Sequence, residues 1–237
     1  VEPFSVLSYP MPPDYGEGQR QQSQLADRVL SWRTDPDNSR VGCYLHGEVG
    51  HVYTLGVHGK ISNLLVTKQA LERDGISLVR TDRGGDITYH GPGQLLGYPI
   101  LDLHRLGLGV KGYIEALESA VMLTLSAYAI ATIRLADAPG VWLEPKGARP
   151  LRKICAVGVH VNQGITTHGF ALNVHTDLGY FTRINPCGFT SRGVTSMAQE
   201  LGNAPPFAEV DGLLSQRLAQ VLNIKIGSFS AGSHPTV

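Results

Sequence analysis

Three stretches of this 237-residue chain gather residue types that can do covalent chemistry. The first is 83–94, RGGDITYHGPGQ, with four glycines and one proline in twelve residues. Such a run predicts a backbone that turns sharply and comes close to a ligand, because no Cβ intervenes. Gly84 and Gly85 could aim amide N–H groups at a carbonyl oxygen, as an oxyanion site requires, with Arg83, Asp86 and His90 adding polar groups beside them. The second is Asn185-Pro186-Cys187-Gly188-Phe189, where proline and glycine put a thiol on a bend rather than in a packed stripe. A thiolate is the reactive form, and its pKa of roughly 8.5 falls beside a cation. The third is Lys153, which follows a loop carrying Lys146, Arg149 and Arg152. Turned toward a thiol, its ammonium stabilises the thiolate, and partial desolvation readies it for proton transfer. His168 opens the run His168-Gly169-Phe170-Ala171, where an imidazole can line a pocket next to a glycine that admits a chain.

On spacing alone each stretch also has an ordinary reading. Glycine clusters make surface turns, a cysteine can fall in a loop by chance, a lysine at a strand end is solvated, and a strand histidine satisfies its own hydrogen bonds. The glycine-rich run lacks the Gly-Lys-Ser/Thr ending of a phosphate loop and does not match a dinucleotide fingerprint. His90, His168 and Cys187 lack the close spacing of a metal hairpin or helix, so no metal set is assigned. Cys155 alternates with valines and reads as core, as does Cys43 beside Tyr44 and Leu45.

The elements that must position these groups alternate between helix and strand, which predicts an α/β or α+β domain with a mixed sheet. Helical spacing covers about 17–34 through Leu25, Val29 and Trp32, and about 110–129 through Tyr113, Leu117, Val121, Leu125 and Tyr128. A short helix over 67–73 ends at Asp74-Gly75, Ser196 with Gln199 fits a capping box for a helix to Leu201, and 208–223 is amphipathic through Val210, Leu214, Leu218 and Val221. Strand signals fall at 41–45, 51–56, 76–80, 131–135 and 154–161, and Gly164 predicts a hairpin into 165–174. A loop occupies 144–153. One catalytic domain over 1–226 and a disordered tail over 227–237 complete the expectation.

Composition narrows the partners. Lys plus Arg equals Asp plus Glu, so no global field draws nucleic acid or an anionic membrane. Three sparse cysteines make a poor disulfide framework, no apolar run approaches the roughly 18 residues of a membrane span, and no signal core is read at the start, so the expected compartment is the cytoplasm.

Taken as a set, RGGDITYHGPGQLLGYPILDL (83–103), GVWL (140–143), KICAVGVHV (153–161), THGFALNV (167–174) and NPCGF (185–189), with YTLG at 53–56 and VTS at 194–196, resemble the octanoyl-[acyl-carrier-protein]:protein N-octanoyltransferase family, also called lipoyl(octanoyl) transferase. The resemblance implies the α/β fold of biotin and lipoate protein ligases, a catalytic Cys187 and Lys153, and no cofactor. It places substrate binding on Arg83, Gly84, Gly85, Asp86, Ile87, Thr88, Tyr89 and His90, on Ala156, Val157 and Gly158, and on Gly169, Phe170 and Ala171 beside His168. The implied donor is octanoyl-acyl carrier protein. The implied acceptors are lipoyl domains of 2-oxoacid dehydrogenase E2 subunits and the glycine cleavage H protein. Cys155 departs from the small residue, such as alanine, expected at its position. Because carriers are acidic, Lys146 to Lys153 is the candidate docking patch, with a solvated loop as its alternative. The competing readings are an ATP-dependent lipoate or biotin ligase, a non-catalytic acyl- or partner-binding module on the same fold, and a thiol hydrolase.

Overall fold

A computed structural model describes residues 2–35, 37–185 and 192–228. The chain runs β1 (Phe4–Pro10), α1 (Tyr15–Trp32), β2 (Arg40–Gly47), β3 (Val52–Leu55), α2 (Lys68–Arg73), β4 (Ser77–Arg80), β5 (Ile87–His90), β6 (Gln94–Leu101) and α3 (Leu103–Leu106). It continues α4 (Val110–Ala127), β7 (Gly140–Leu143), β8 (Arg152–Asn162), β9 (Ile165–Asn173), β10 (Gly193–Val194), α5 (Met197–Leu201), α6 (Phe207–Leu222) and β11 (Ile224–Ser228), with 3-10 turns at Ile61–Asn63 and Leu178–Arg183.

Eight strands form a mixed sheet in the order β10-β8-β9-β6-β2-β1-β11, with β7 also paired to β8. A second sheet of three strands, β4-β3-β5, stands beside it. Every residue of β6 is buried, as a strand covered on both faces must be. On one face α4 and α6 pack through Leu117, Val121, Leu125, Leu214 and Leu218. On the other, α1 packs through Leu25 and Val29 onto Leu45, Leu96 and Ile100. Each of the three helices buries the stripe its periodicity marks. The hairpin between β8 and β9 turns through Gln163 and Gly164, both at positive φ (50° and 79°), which suits the right-handed twist of the flanking strands. Among the described residues, no helix is long and apolar enough to cross a membrane.

Four expectations change. Residues 131–135 do not form a strand; they make one isolated bridge, Ile133 to Trp142, while the Arg134 side chain pairs with Glu118 at 3.1 Å. The strand there is β7, antiparallel to β8. The glycine-rich run is not loop throughout, since Ile87–His90 pairs with β3 and Gln94 starts β6. Gly227 and Ser228, assigned to the tail, lie in β11 beside β1; positions 229–237 lie outside the described residues.

The fourth change concerns the basic loop. Arg152 and Lys153 already belong to β8, and the Arg152 side chain is only 6% exposed. Its guanidinium makes a two-pronged ion pair with Glu200 of α5 at 2.7 and 2.9 Å, which Arg149 joins at 3.3 Å. Arg152 therefore locks α5 to the sheet and is not open to a docking partner, and Arg149 is partly neutralised. Arg152 lowers the Glu200 carboxyl to about 2, assisted by the Thr195 hydroxyl at 2.6 Å. A depressed carboxyl stabilises the fold above its unfolded-state value near 4.5 and loses that contribution as pH falls toward 2. Glu200→Gln should cost about 2 kcal/mol at neutral pH in urea unfolding, and the gap from wild type should close between about pH 4.5 and 2. A gap that stays constant across that range would contradict the assignment.

Candidate active site

A cavity of about 630 Å³ opens between the two sheets, walled by the glycine-rich run, β8, β9, the first turn of α4 and the 178–185 turn. Its lining is largely apolar at Val110, Ile114, Val157, Phe170, Leu178 and Phe181. Lys153 lines it beside Trp142 and Arg192.

Lys153 reaches the cavity because β8 carries an extra residue. Val141 pairs with Cys155 but the next residue, Trp142, pairs with Lys153, so Ile154 is a bulge. Ile154 and Cys155 are consecutive yet both fully buried in the same core cluster, whereas Lys153 and Ala156 both line the cavity. Plain alternation from Cys155 would have sent the lysine into the core. Its Nζ donates to the Pro139 carbonyl at 3.2 Å and lies 4.6 Å from the centre of the Trp142 ring. The Arg192 guanidinium lies over the same ring at 5.5 Å and pairs with Asp137 at 2.9 Å. Buried Glu118 fixes the turn that supplies Pro139, accepting the Gly140 N–H at 2.8 Å while paired with Arg134.

The glycine-rich run closes over β8. Gly84 N–H donates to the Val159 carbonyl at 3.0 Å, and a Cβ on Gly158 would stand 2.9 Å from the Gly84 carbonyl, so the two backbones meet only because both residues are glycine. The Gly84 amide is thus committed to the strand and does not serve as an oxyanion donor. Arg83 is buried, donating to the Thr54 and Asp86 carbonyls at 2.7 Å each and to the Gly84 carbonyl at 3.0 Å. Its charge holds the run in shape. Asp86 accepts from Ile87 N–H and from Asn63, tying the run to the preceding segment.

Gly85, Ile87, Thr88 and His90 line the cavity, as do Ala156, Val157 and Gly158 and the stretch His168 to Ala171. Tyr89 does not. It donates or accepts at His51 Nδ1 (2.7 Å) and stacks on Tyr180, because alternation along β5 turns it away from its neighbours Thr88 and His90. Burial, aided by Arg83, depresses His90 to about 3, so the ring is neutral. Its Nδ1–H donates to Gln94 Oε1 at 2.7 Å, which leaves Nε2 a buried acceptor with no partner among the described residues. His168 sits at positive φ (58°) with its Nε2 on Asp82 at 2.7 Å, and that bond pulls the Asp82 carboxyl down to about 2. Burial raises Cys43 to about 12 and pushes Cys155 higher still, so neither thiol is a ready nucleophile. Cys187 lies outside the described residues, but Asn185 and Arg192 both line the cavity, so the chain on either side of its segment borders this space.

Gln94 and Asn173 were not singled out by sequence reasoning. Gln94 Nε2 donates to Asn173 Oδ1 at 2.8 Å, Asn173 Nδ2 donates to the Thr195 carbonyl at 2.9 Å, and Thr195 N–H donates to the Lys153 carbonyl at 2.9 Å. The chain of four bonds from His90 to the backbone of Lys153 joins five segments. An amide at the start of a strand carries no sequence signal for this; only the register Gln94↔Asn173 brings the two together. Among the described residues no cluster of His, Cys, Asp and Glu could hold a metal. Gln94→Leu should lower stability by about 2–3 kcal/mol in urea unfolding, since it strands His90 Nδ1 and Asn173 Oδ1 in a buried site. A loss below about 0.5 kcal/mol would show the bonds are not formed.

Comparison with known proteins gives one direction. The lipoyl protein ligase A/B catalytic domain family matches residues 20–219. An octanoyltransferase of Bacteroides fragilis is 46% identical over 211 residues, which cover 88% of this chain and 93% of that protein. The bi-partite lipoate protein ligase of an archaeal lipoylation system from Thermoplasma acidophilum superposes with a TM-score of 0.70 at 16% identity, covering 98% of this chain and 89% of that one. Biotin protein ligase from Aquifex aeolicus, in complex with biotin and ATP, gives 0.50 at 14% identity over 94% of this chain and 69% of that one. At such low identity the two structures speak for the fold, a mixed sheet flanked by helices, and for nothing finer.

Proposed function

This chain belongs to the lipoyl protein ligase A/B catalytic domain family and is an acyltransferase, and from that premise we propose that it moves an octanoyl group from acyl carrier protein to a lysine of a lipoyl domain through a thioester on Cys187. The observation that carries the reading is Lys153, an amine turned by a bulge out of the core and into an apolar cavity that is also lined by Asn185 and Arg192, the described residues that flank Cys187 in sequence. The remaining groups play supporting parts. The apolar walls take the acyl chain, and the glycine-rich run brings backbone against it without side chains in the way.

In the first half-reaction Lys153 takes the Cys187 proton, and the thiolate adds to the carbonyl carbon of the donor thioester. The tetrahedral intermediate collapses, the carbon–sulfur bond to the carrier breaks, and the departing thiolate takes the proton back from Lys153. Exchange of one thioester for another is nearly balanced in energy, so this half runs both ways. In the second, the neutral amine of the acceptor lysine attacks octanoyl-Cys187, gives its proton to Lys153, and the Cys187 thiolate leaves and is reprotonated. Amide formation drives the sequence, and no nucleotide is consumed because the donor is already activated. The acceptors in this reading are lipoyl domains of 2-oxoacid dehydrogenase E2 subunits and the glycine cleavage H protein, and the compartment is the cytoplasm.

Intact-mass measurement after incubation with octanoyl-carrier and no ATP should show one octanoyl adduct that neutral hydroxylamine removes. Cys187→Ser should carry no hydroxylamine-labile adduct, and Lys153→Met should slow acylation by about 10²–10⁴-fold, the usual contribution of a positioned proton donor and acceptor. Transfer that needs ATP, or that survives in Cys187→Ser at full rate, would point instead to a ligase mechanism.

A further inference from the structure

Among the described residues, six large hydrophobic side chains stand exposed, and three of them, Val57 (58%), Ile61 (48%) and Leu65 (59%), fall within nine residues. They sit on the segment 56–65 that leaves β3. Scattered single hydrophobics are normal on a surface, but a cluster marks a contact site.

The segment is held rigidly at two places that matter to the cavity. On one side Val57 N–H donates to the Arg83 carbonyl at 3.0 Å and His58 N–H to the Gly85 carbonyl at 3.1 Å, while Asn63 holds the Asp86 carboxylate. On the other, Leu65 N–H donates to the Arg183 carbonyl and Asn185 N–H to the Asn63 carbonyl, both at 2.8 Å, with Leu64 bridged to Ile184. The strap therefore joins the glycine-rich wall to the stretch that leads into residues 186–191. Its own apolar side chains do not line the cavity. A partner seated on them touches the outside of the wall, not the acyl chain.

The charge around the cluster has one sign in excess. Lys60 and Lys68 form no ion pair with a described residue, and Arg73 and Arg183 share one carboxylate, Asp74, with only Glu72 nearby in sequence to add another. Exposed lysines near in sequence to exposed aliphatic groups suit a surface that is acidic and studded with apolar side chains. The predicted patch at Lys146 to Lys153 fails this requirement, because Glu200 binds both Arg149 and Arg152.

We propose that the strap 56–65, through Val57, Ile61 and Leu65 with Lys60 and Lys68, is the docking surface for the acidic carrier protein that brings the acyl thioester. The inference rests on the acyl transfer proposed above and adds the place where the donor binds. A thioester carried on a flexible arm reaches the cavity while the carrier stays outside the wall. The strap's backbone contacts with 183–185 put the arm's entry next to the cavity-lining residues Ile184 and Asn185.

The test uses the full chain with Ile61→Asp and Leu65→Asp, singly and together, and two donors. One is octanoyl-acyl carrier protein; the other is octanoyl-pantetheine, the same thioester without protein. The double variant should lose roughly tenfold or more in kcat/KM for the carrier donor, through KM, as expected for removal of a central apolar contact. With octanoyl-pantetheine it should match wild type, as should its kcat/KM for the lipoyl domain and its melting temperature. Equal losses with both donors would overturn the proposal in favour of a structural role, and a loss confined to the lipoyl domain would assign the strap to the acceptor instead. No change with either donor would also overturn it. A wild-type protein that takes octanoyl from neither donor would defeat the acyl-transfer reading itself, which is a separate outcome.

Discussion

A lysine on a strand that alternates between core and cavity has two possible destinations, and the wrong one here costs several kcal/mol for an ammonium without water. Cys155 faces the core on β8, and Lys153 shares its parity. The bulge at Ile154 changes that parity once, at the one point where β7 can absorb it. Both Ile154 and Cys155 then bury in the core, and the amine comes out beside Ala156. Everything proposed about proton transfer presupposes this turn of the strand, because no side-chain rotation could carry the amine around the sheet.

The opposite wall obeys a related constraint. Arg83 holds the glycine-rich run by donating to three backbone carbonyls and the Thr54 hydroxyl, and Gly84 and Gly158 let two backbones meet across the cavity wall. A guanidinium has five donors in a fixed fork and no acceptor, so it can organise carbonyls that face one another in a turn. The side chain is buried yet still borders the cavity. The wall is therefore shaped by charge but presents little of it, which suits an aliphatic guest.

Much of this was legible in order of residues alone. Helices α1, α4 and α6 declare themselves through apolar spacing, and Ser196 caps α5 through the Gln199 N–H as its spacing implies. The glycine-rich run, β8 and β9 converge on one cavity. Three kinds of feature were not legible. Strands β1, β7, β10 and β11 are short or lie among breakers, and they exist because the sheet offers them partners rather than because of local preference. The bulge leaves no mark in composition. Arg152 looked available because its partner, Glu200, is 48 residues away in the chain, and Tyr89 looked like its neighbours because alternation within a four-residue strand is easily overlooked inside a run of glycines.

The ionisable groups around the cavity are each tied to a partner of a different kind. His90 is kept neutral by burial, His168 is bonded to Asp82, Arg192 to Asp137, and Arg83 to carbonyls. Lys153 donates to the Pro139 carbonyl and lies over the face of Trp142. Glu118 stays behind the turn, bound to Gly140 N–H and Arg134, and shapes the seat of the amine through the backbone, with its own charge already paired.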